Sequence, residues 1–165
     1  AVMVQMTWPG APTIYYGDEV GLCGWTDPDN RRTYPWGHED LELLEFHRYL
    51  CGMPRRLPVL KRGSVKPLLA GRHFLAYGRM DGKYKAVVVL NNRDTERDVE
   101  VPVWLLGVEP HETLARIMLT TEEGYNVGIV KVEVHHGNAF LKMPPVSSVL
   151  LITHADEFYS TAGLQ

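Results

Sequence analysis

Two carboxylates stand side by side at Asp18-Glu19, directly after Gly17, and a second knot of charge follows at Asp27-Pro28-Asp29-Asn30-Arg31-Arg32, flanked by Trp25, Tyr34 and Trp36. Paired carboxylates suit general acid–base work, but such work needs two groups facing one reacting bond across a set gap. Neighbours on an extended chain point to opposite faces. At most one of Asp18 and Glu19 can therefore serve a given pocket, and a structural role for the pair is the preferred reading. The rings of Trp25, Tyr34 and Trp36 can stack on a sugar or pack their own loop. Asp27, placed before Pro28, can open a turn with its side chain, and a pair between Asp27 and Arg31 can fix the loop. Other chemistries lack their residues. His111, His135, His136 and His154 have no HExxH or CxxC…H spacing, and two adjacent strand histidines face opposite ways, so neither metal nor cofactor is expected. There is no Gly-rich phosphate loop and no Gly-x-Ser-x-Gly elbow. Cys23 and Cys51 read as unrelated thiols, which leans toward a cytosolic setting.

The stretch that must position these groups runs from Thr7 to Trp36. Trp8-Pro9-Gly10-Ala11-Pro12 is a turn cluster that forbids helix, and Thr13, Ile14, Tyr15 and Tyr16 are β-branched or aromatic, so Pro12 to Tyr16 is expected to form a strand. The run is apolar without alternation, as in a parallel sheet covered on both faces. Gly17 marks where the strand opens. Ligands sit at the carboxyl ends of such strands, which places the irregular loop from Val20 to Gly37 over a binding face. Ala1 to Thr7 is apolar and fits helix or strand equally. From His38 to about Met53 the pattern is helical: Leu43, Phe46, Leu50 and Met53 recur on one face, acidic residues load the first half, and Gly52 and Pro54 end it. His47 within it is expected to be a packing or surface residue.

Pro54 to Pro58 is the boundary, and beyond it the chain turns to β structure. His73 to Arg79 and Tyr84 to Leu90 flank Asp81-Gly82, a hairpin signal. Ala86 to Leu90 is apolar throughout and is predicted to be a central strand. Arg97 to Val103 alternates, with Val99, Val101 and Val103 facing in. Leu114 to Leu119, Val127 to Val134, Ala139 to Met143 and Ser147 to Thr153 complete about seven strands, the pattern of an antiparallel sandwich of Greek-key type. The predicted division is 1–57, 58–154 and a loose tail over 155–165.

The ordered run Pro-Gly-Ala-Pro-Thr-Ile-Tyr-Tyr-Gly-Asp-Glu-Val-Gly over residues 9–21, followed by Asp27-Pro28-Asp29-Asn30-Arg31-Arg32 and Pro35-Trp36, resembles the last barrel strand and following loop of the α-amylase family of glycoside hydrolases. The pattern is nearest to the neopullulanase, cyclomaltodextrinase and maltogenic amylase branch. Lys61-Arg62-Gly63-Ser64 and the run from Met143 to Ile152 are placed as in that family's C-terminal domain. The resemblance implies a mainly β fold, a C-terminal sandwich preceded by the last βα unit of a (β/α)8 barrel. In it, residues 1–7 end the seventh barrel helix and His38 to Met53 form the eighth. It also implies hydrolysis of α-glucans (α-1,4- and α-1,6-linked maltooligosaccharides, cyclodextrins, pullulan) by a retaining mechanism. It assigns Asp27 and Arg31 to substrate binding on the non-reducing side of the cleavage point, where a carboxylate accepts from sugar hydroxyls and a guanidinium fork donates to them. The loop-fixing pair described above stands as the alternative. Asp29 and Arg32 are assigned to loop structure.

The resemblance supplies no catalytic residue. In that family the nucleophile Asp, the acid/base Glu and the transition-state-stabilising Asp follow earlier barrel strands, and none of their motifs, such as Asn-His-Asp, occurs in this sequence. The expectation is the tail of an enzyme, inactive as these 165 residues. A non-catalytic carbohydrate-binding or structural sandwich is the alternative. A barrel alone takes about 250 residues. Hydrophobic content of 45% is enough for a core, and the net charge of −3 leaves no basic footprint for nucleic acid or an anionic membrane. No stretch reaches the ~20 apolar residues of a membrane span, and no signal peptide is read, the natural start being expected upstream. A lone βα unit leaves Ile14, Tyr15, Leu43, Phe46 and Leu50 uncovered, and three covers are open: the missing barrel portion, a second copy joined through residues 1–53, or collapse of the segment onto the sandwich; an α-glucan oligosaccharide is the other expected partner.

Overall fold

Alternation decides where each apolar strand residue goes. In the computed structural model, which describes residues 1–161, the hairpin expected around Asp81-Gly82 joins β2 (Phe74–Asp81) to β3 (Tyr84–Asn91), with Asp81 opposite Tyr84. Ala86, Val87, Val88 and Val89 of β3 are all fully buried. Such uniform burial needs cover on both faces of the sheet. Val87 and Val89 turn toward one hydrophobic core, and Ala86 and Val88 toward another.

The first core lies between two layers of strands. β1 (Ser64–Gly71), β2, β3, β9 (Ser147–Ile152) and β5 (Thr113–Thr121) form one layer, and the hydrogen-bonded path continues through β7 (Val130–His135) and β8 (Asn138–Met143) to β4 (Arg97–Val101). The three-residue β6 (Gly124–Asn126) pairs with β5, and every described pairing is antiparallel. Val101, Val103 and Leu106 near β4, with Val134 and Met143, close against Ala76, Val87 and Leu151. The antiparallel sandwich read from the sequence is present. Among the described residues it has nine strands instead of about seven, because two carry no clear sequence signal. β1 contains Pro67, which breaks its regular register but is tolerated because β1 is an edge strand. β6 is too short to show a pattern.

Helices cover the other face. α1 (Val2–Thr7), α2 (Leu41–Arg56) and α3 (Pro58–Arg62) present Met3, Met6, Leu50, Met53 and Leu60 to Tyr77, Val88, Ile117, Leu150 and Ile152. Each such side chain contributes about 1.5–3 kcal/mol when fully buried. The α2 face that a lone βα unit would leave open is therefore covered by the sheet, and Leu50 is fully buried. His47 is buried as well, its Nδ1 bonded to the Leu43 carbonyl at 2.9 Å.

Three expectations are corrected. Pro12 to Tyr16 forms no strand, since none of the described residues offers a neighbouring strand to pair with its backbone. The expected last βα unit is thus an unpaired extended segment followed by a helix. α2 does not stop at Gly52 and Pro54 but runs on to Arg56. Gly and Pro lower helix propensity by about 1 and 3 kcal/mol, but Met53 and Leu57 are buried against the sheet on either side of Pro54, and packing prevails. The loose tail is α4 (Ala155–Thr161) as far as Thr161, anchored by buried Phe158; residues 162–165 lie outside the described part.

One buried charge ties these layers together. Arg79 on β2 is 1% exposed. Its Nε and Nη2 donate to the Gly63 carbonyl at 3.1 and 2.7 Å, and its Nη1 donates to the Thr7 carbonyl at 2.6 Å. Thr7 ends α1 and Gly63 follows α3, so one guanidinium satisfies carbonyls at the negative ends of two helices. Beside it the buried Tyr77 hydroxyl meets Thr7 Oγ1 at 2.5 Å, and burial raises the Tyr77 pKa. The point where the chain enters its long loop is thereby fixed to the sheet.

Candidate functional site

From Trp8 the chain leaves the core, and most of its bonds become local. A single 3-10 turn at Asp18–Val20 starts at Gly17, whose φ of 92° favours glycine. Glu19 Oε2 accepts from the Gly17 N–H at 2.8 Å, so this carboxylate folds back on its own turn. That bond gives Glu19 a role in shaping its own turn.

A second 3-10 turn, Asp29–Arg31, organises the charged knot. Asp29 is its hub: Oδ2 accepts from the Trp25 N–H at 3.0 Å, and Oδ1 accepts from Arg32 Nε at 2.9 Å and Nη2 at 2.7 Å. Tyr16 then donates its hydroxyl to the Arg32 carbonyl at 2.8 Å, holding the loop against the extended segment before it. The sequence assigned Asp29 and Arg32 to loop structure, and these bonds serve that purpose.

Asp27 and Arg31 lie on the outer side of the same turn. Arg31 Nη2 is 2.7 and 2.8 Å from the two carboxylate oxygens of Asp27, and the side chains are 65% and 60% exposed. An ion pair this exposed is worth about 0–1 kcal/mol, so sugar hydroxyls can compete for either partner. Asp27 is joined to Pro28 by a cis peptide bond. Around the pair the aromatic side chains are turned outward: Trp25 is 83% and Trp36 79% exposed. Tyr34 lies 4.5 Å from Trp36, ring centroid to ring centroid. Desolvation, with the charges of Glu19 and Glu39, raises the Tyr34 pKa.

Among the described residues no group of three or more His, Cys, Asp or Glu side chains could hold a metal ion. His154 approaches Glu112 and Glu157 at 3.8 and 3.9 Å, and His135 approaches Glu133 at 3.2 Å. Cys23 and Cys51 are free and exposed. Among the described residues no helix is long and apolar enough to cross a membrane. One pairing lay beyond the sequence reading: Phe46 of α2 meets Tyr125 of β6 at 5.0 Å, across 79 positions of chain. Phe46 shows helical periodicity in the sequence, but nothing local marks Tyr125 as its neighbour.

No protein-family model matches the chain. Among known proteins, an amylopullulanase from Thermoanaerobacterium thermosulfurigenes is 30% identical over 164 residues, 93% of this chain and 8% of the relative. Neopullulanase 2 from Thermoactinomyces vulgaris is 38% identical over 134 residues, 73% of this chain and 23% of the relative. Among solved structures, the debranching enzyme of Nostoc punctiforme superposes with a TM-score of 0.69 at 28% identity, covering 91% of this chain and 29% of that one. The chain thus spans less than a quarter of the length of either relative.

Proposed function

From the relation of this chain to the α-amylase family of glycoside hydrolases, we propose that it is the C-terminal part of an α-glucan hydrolase. In this reading the loop around Asp27 and Arg31 contacts the substrate and the nine-stranded β-domain holds that loop in place. The observation that carries it is the exposure of the loop's recognition-type side chains: the Asp27–Arg31 pair, which also closes the turn, and the rings of Trp25 and Trp36 are each three-fifths or more exposed. Exposed rings beside a carboxylate–guanidinium pair suit a neutral polyol, whose faces stack and whose hydroxyls both donate and accept. Substrates are maltooligosaccharides, cyclodextrins or pullulan, cleaved with retention. The two carboxyl groups that retention needs at about 5–5.5 Å are to come from residues outside these 165. Trp8, Tyr15 and Tyr16 are each more than two-fifths exposed, Leu41 more so, and a preceding barrel would cover them better than a second copy of the chain.

A turnover assay addresses the catalytic half of this reading. The pure chain is expected to release no reducing sugar from maltotetraose or β-cyclodextrin, and reproducible turnover would show that the carboxylates are already present. A second reading, a non-catalytic carbohydrate-binding or structural module, draws support from the two cores, which are assembled from residues of this chain.

A further inference from the structure

A groove away from the Asp27–Arg31 loop shows the same pairing of aromatic rings with polar acceptors. It lies in the seam between the first turns of α2 and the β5–β6 hairpin, with a volume of about 290 Å³, and its lining includes Leu43, Phe46, Thr121, Glu123 and Tyr125. Phe46 and Tyr125 form its floor, their rings 5.0 Å apart and inclined at 43°, and Tyr49 stands 6.5 Å from Tyr125 on the core side. Two inclined rings make a shallow apolar V, the shape that takes the C–H face of a pyranose.

Asp40 and Glu42 from the start of α2 and Glu122 and Glu123 from the hairpin supply four carboxylate acceptors, of which Asp40 already accepts from the Leu43 N–H at 2.9 Å. The Thr121 hydroxyl accepts from the Glu123 N–H at 3.2 Å, which leaves its own proton free to donate. Gly124, at φ 134°, lets the Glu42 carboxylate pack against the hairpin, where a Cβ would collide with it. No Lys or Arg lines the groove, so an anionic ligand is excluded, and its volume lies at the small end for ligand clefts.

We propose that this groove is a second saccharide site, holding a short neutral α-glucan on Phe46 and Tyr125 with Glu42, Thr121 and Glu123 bonding its hydroxyls. The proposal rests on the glucan reading of the chain but uses none of the residues of the Asp27–Arg31 loop. Its effect is to hold a glucan chain against the sandwich.

The test is an NMR titration of the whole chain with maltotriose, following the amides of Phe46, Thr121, Gly124 and Tyr125 and, separately, those of residues 24–36. Saturable shifts at the first set are expected, with Tyr125→Ala weakening that binding about five- to tenfold while leaving the shifts of the second set unchanged. Phe46 and Tyr125 both pack on the core, so the melt of Tyr125→Ala is recorded beside its binding; Tyr125→Phe retains the ring and is expected to keep most of the binding. Shifts confined to residues 24–36 would overturn the groove and leave the proposed function standing. Silence at both sets would overturn both. Shifts at the groove with spermidine but not with maltotriose would show a site for organic cations, which aromatic rings beside carboxylates also suit, and would overturn the saccharide assignment.

Discussion

The sheet and the loop that it carries are stabilised in opposite ways. In the sheet, β3 pairs along its whole length with β2 on one side and along most of it with β9 on the other, and its side chains feed two separate cores. In the loop, the bonds that organise the charged knot reach three or four residues, and its largest side chains face water. Long-range burial gives a rigid platform at the cost of burying its side chains. Short-range polar bonds give a shaped turn whose side chains remain available. The two meet at Arg79, which bonds the last residue of α1 to the sheet just where the loop departs.

Removal of residues 1–57 breaks the comparison most severely. The helices covering Tyr77, Val88, Ile117 and Leu150 are lost, apart from α3, while the strand ladder and the core between the strand layers remain. The remainder is expected to keep a cooperative melt at a much lower temperature and to bind a hydrophobic dye, which calorimetry and dye fluorescence would show. A broad melt would mean that α1 and α2 are integral to a single folding unit. Next in size is Leu50→Ala, expected to cost about 2–5 kcal/mol in urea unfolding because it opens a cavity at a fully buried site. The same deletion of side chain at Trp25, 83% exposed, should stay within about 0.5 kcal/mol.

Arg79→Met should cost about 3 kcal/mol, within the range for Leu50→Ala, because it leaves the Thr7 and Gly63 carbonyls buried without a donor. It should also loosen the loop, read as faster amide exchange over residues 8–24, which Leu50→Ala should change less. The smallest effect concerns α4. Glu157 accepts from Lys83 and Tyr84 at 2.6 Å each, and the hydrogen bond from Lys83, followed by that from Tyr84, lowers its pKa. A carboxylate whose folded pKa is depressed contributes stability that is fully present above its unfolded pKa and fades as pH falls through the folded one. Anchoring of α4 should therefore be strongest near neutrality and weaken below the ordinary glutamate range. Glu157→Gln should flatten that acid limb, as followed by stability against pH.

The β-domain was largely legible in the sequence, because its signals are local. Asp81-Gly82 fixes a hairpin, Val99-x-Val101-x-Val103 fixes a face, and the apolar run from Ala86 to Leu90 fixes a central position. β1 is hidden in the sequence because Pro67 disguises an edge strand, and Pro54 is a local stop signal in a helix that Met53 and Leu57 carry onward. Pro12 to Tyr16 misled for a different reason. Its composition is that of a strand, but a strand needs neighbours, and none of the described residues pairs with it. In the site, the charged motif told which residues matter but not which face outward. That division appears only when Asp29 is seen to take the bonds from Trp25 and Arg32, leaving Asp27 and Arg31 outermost. The Phe46–Tyr125 groove was not legible at all, since its two rings come from distant segments joined only by packing.

Titration with maltotriose while following the indole N–H signals of Trp25 and Trp36, in the natural chain and in Asp27→Ala, tests most directly whether the loop is a glucan-contacting surface. Asp27 is exposed, so its replacement should leave the melt almost unchanged. The proposed function predicts saturable shifts at both indoles and a loss of affinity of about tenfold in the variant. Indoles that do not respond, or an affinity that is the same with and without the Asp27 carboxylate, would contradict it.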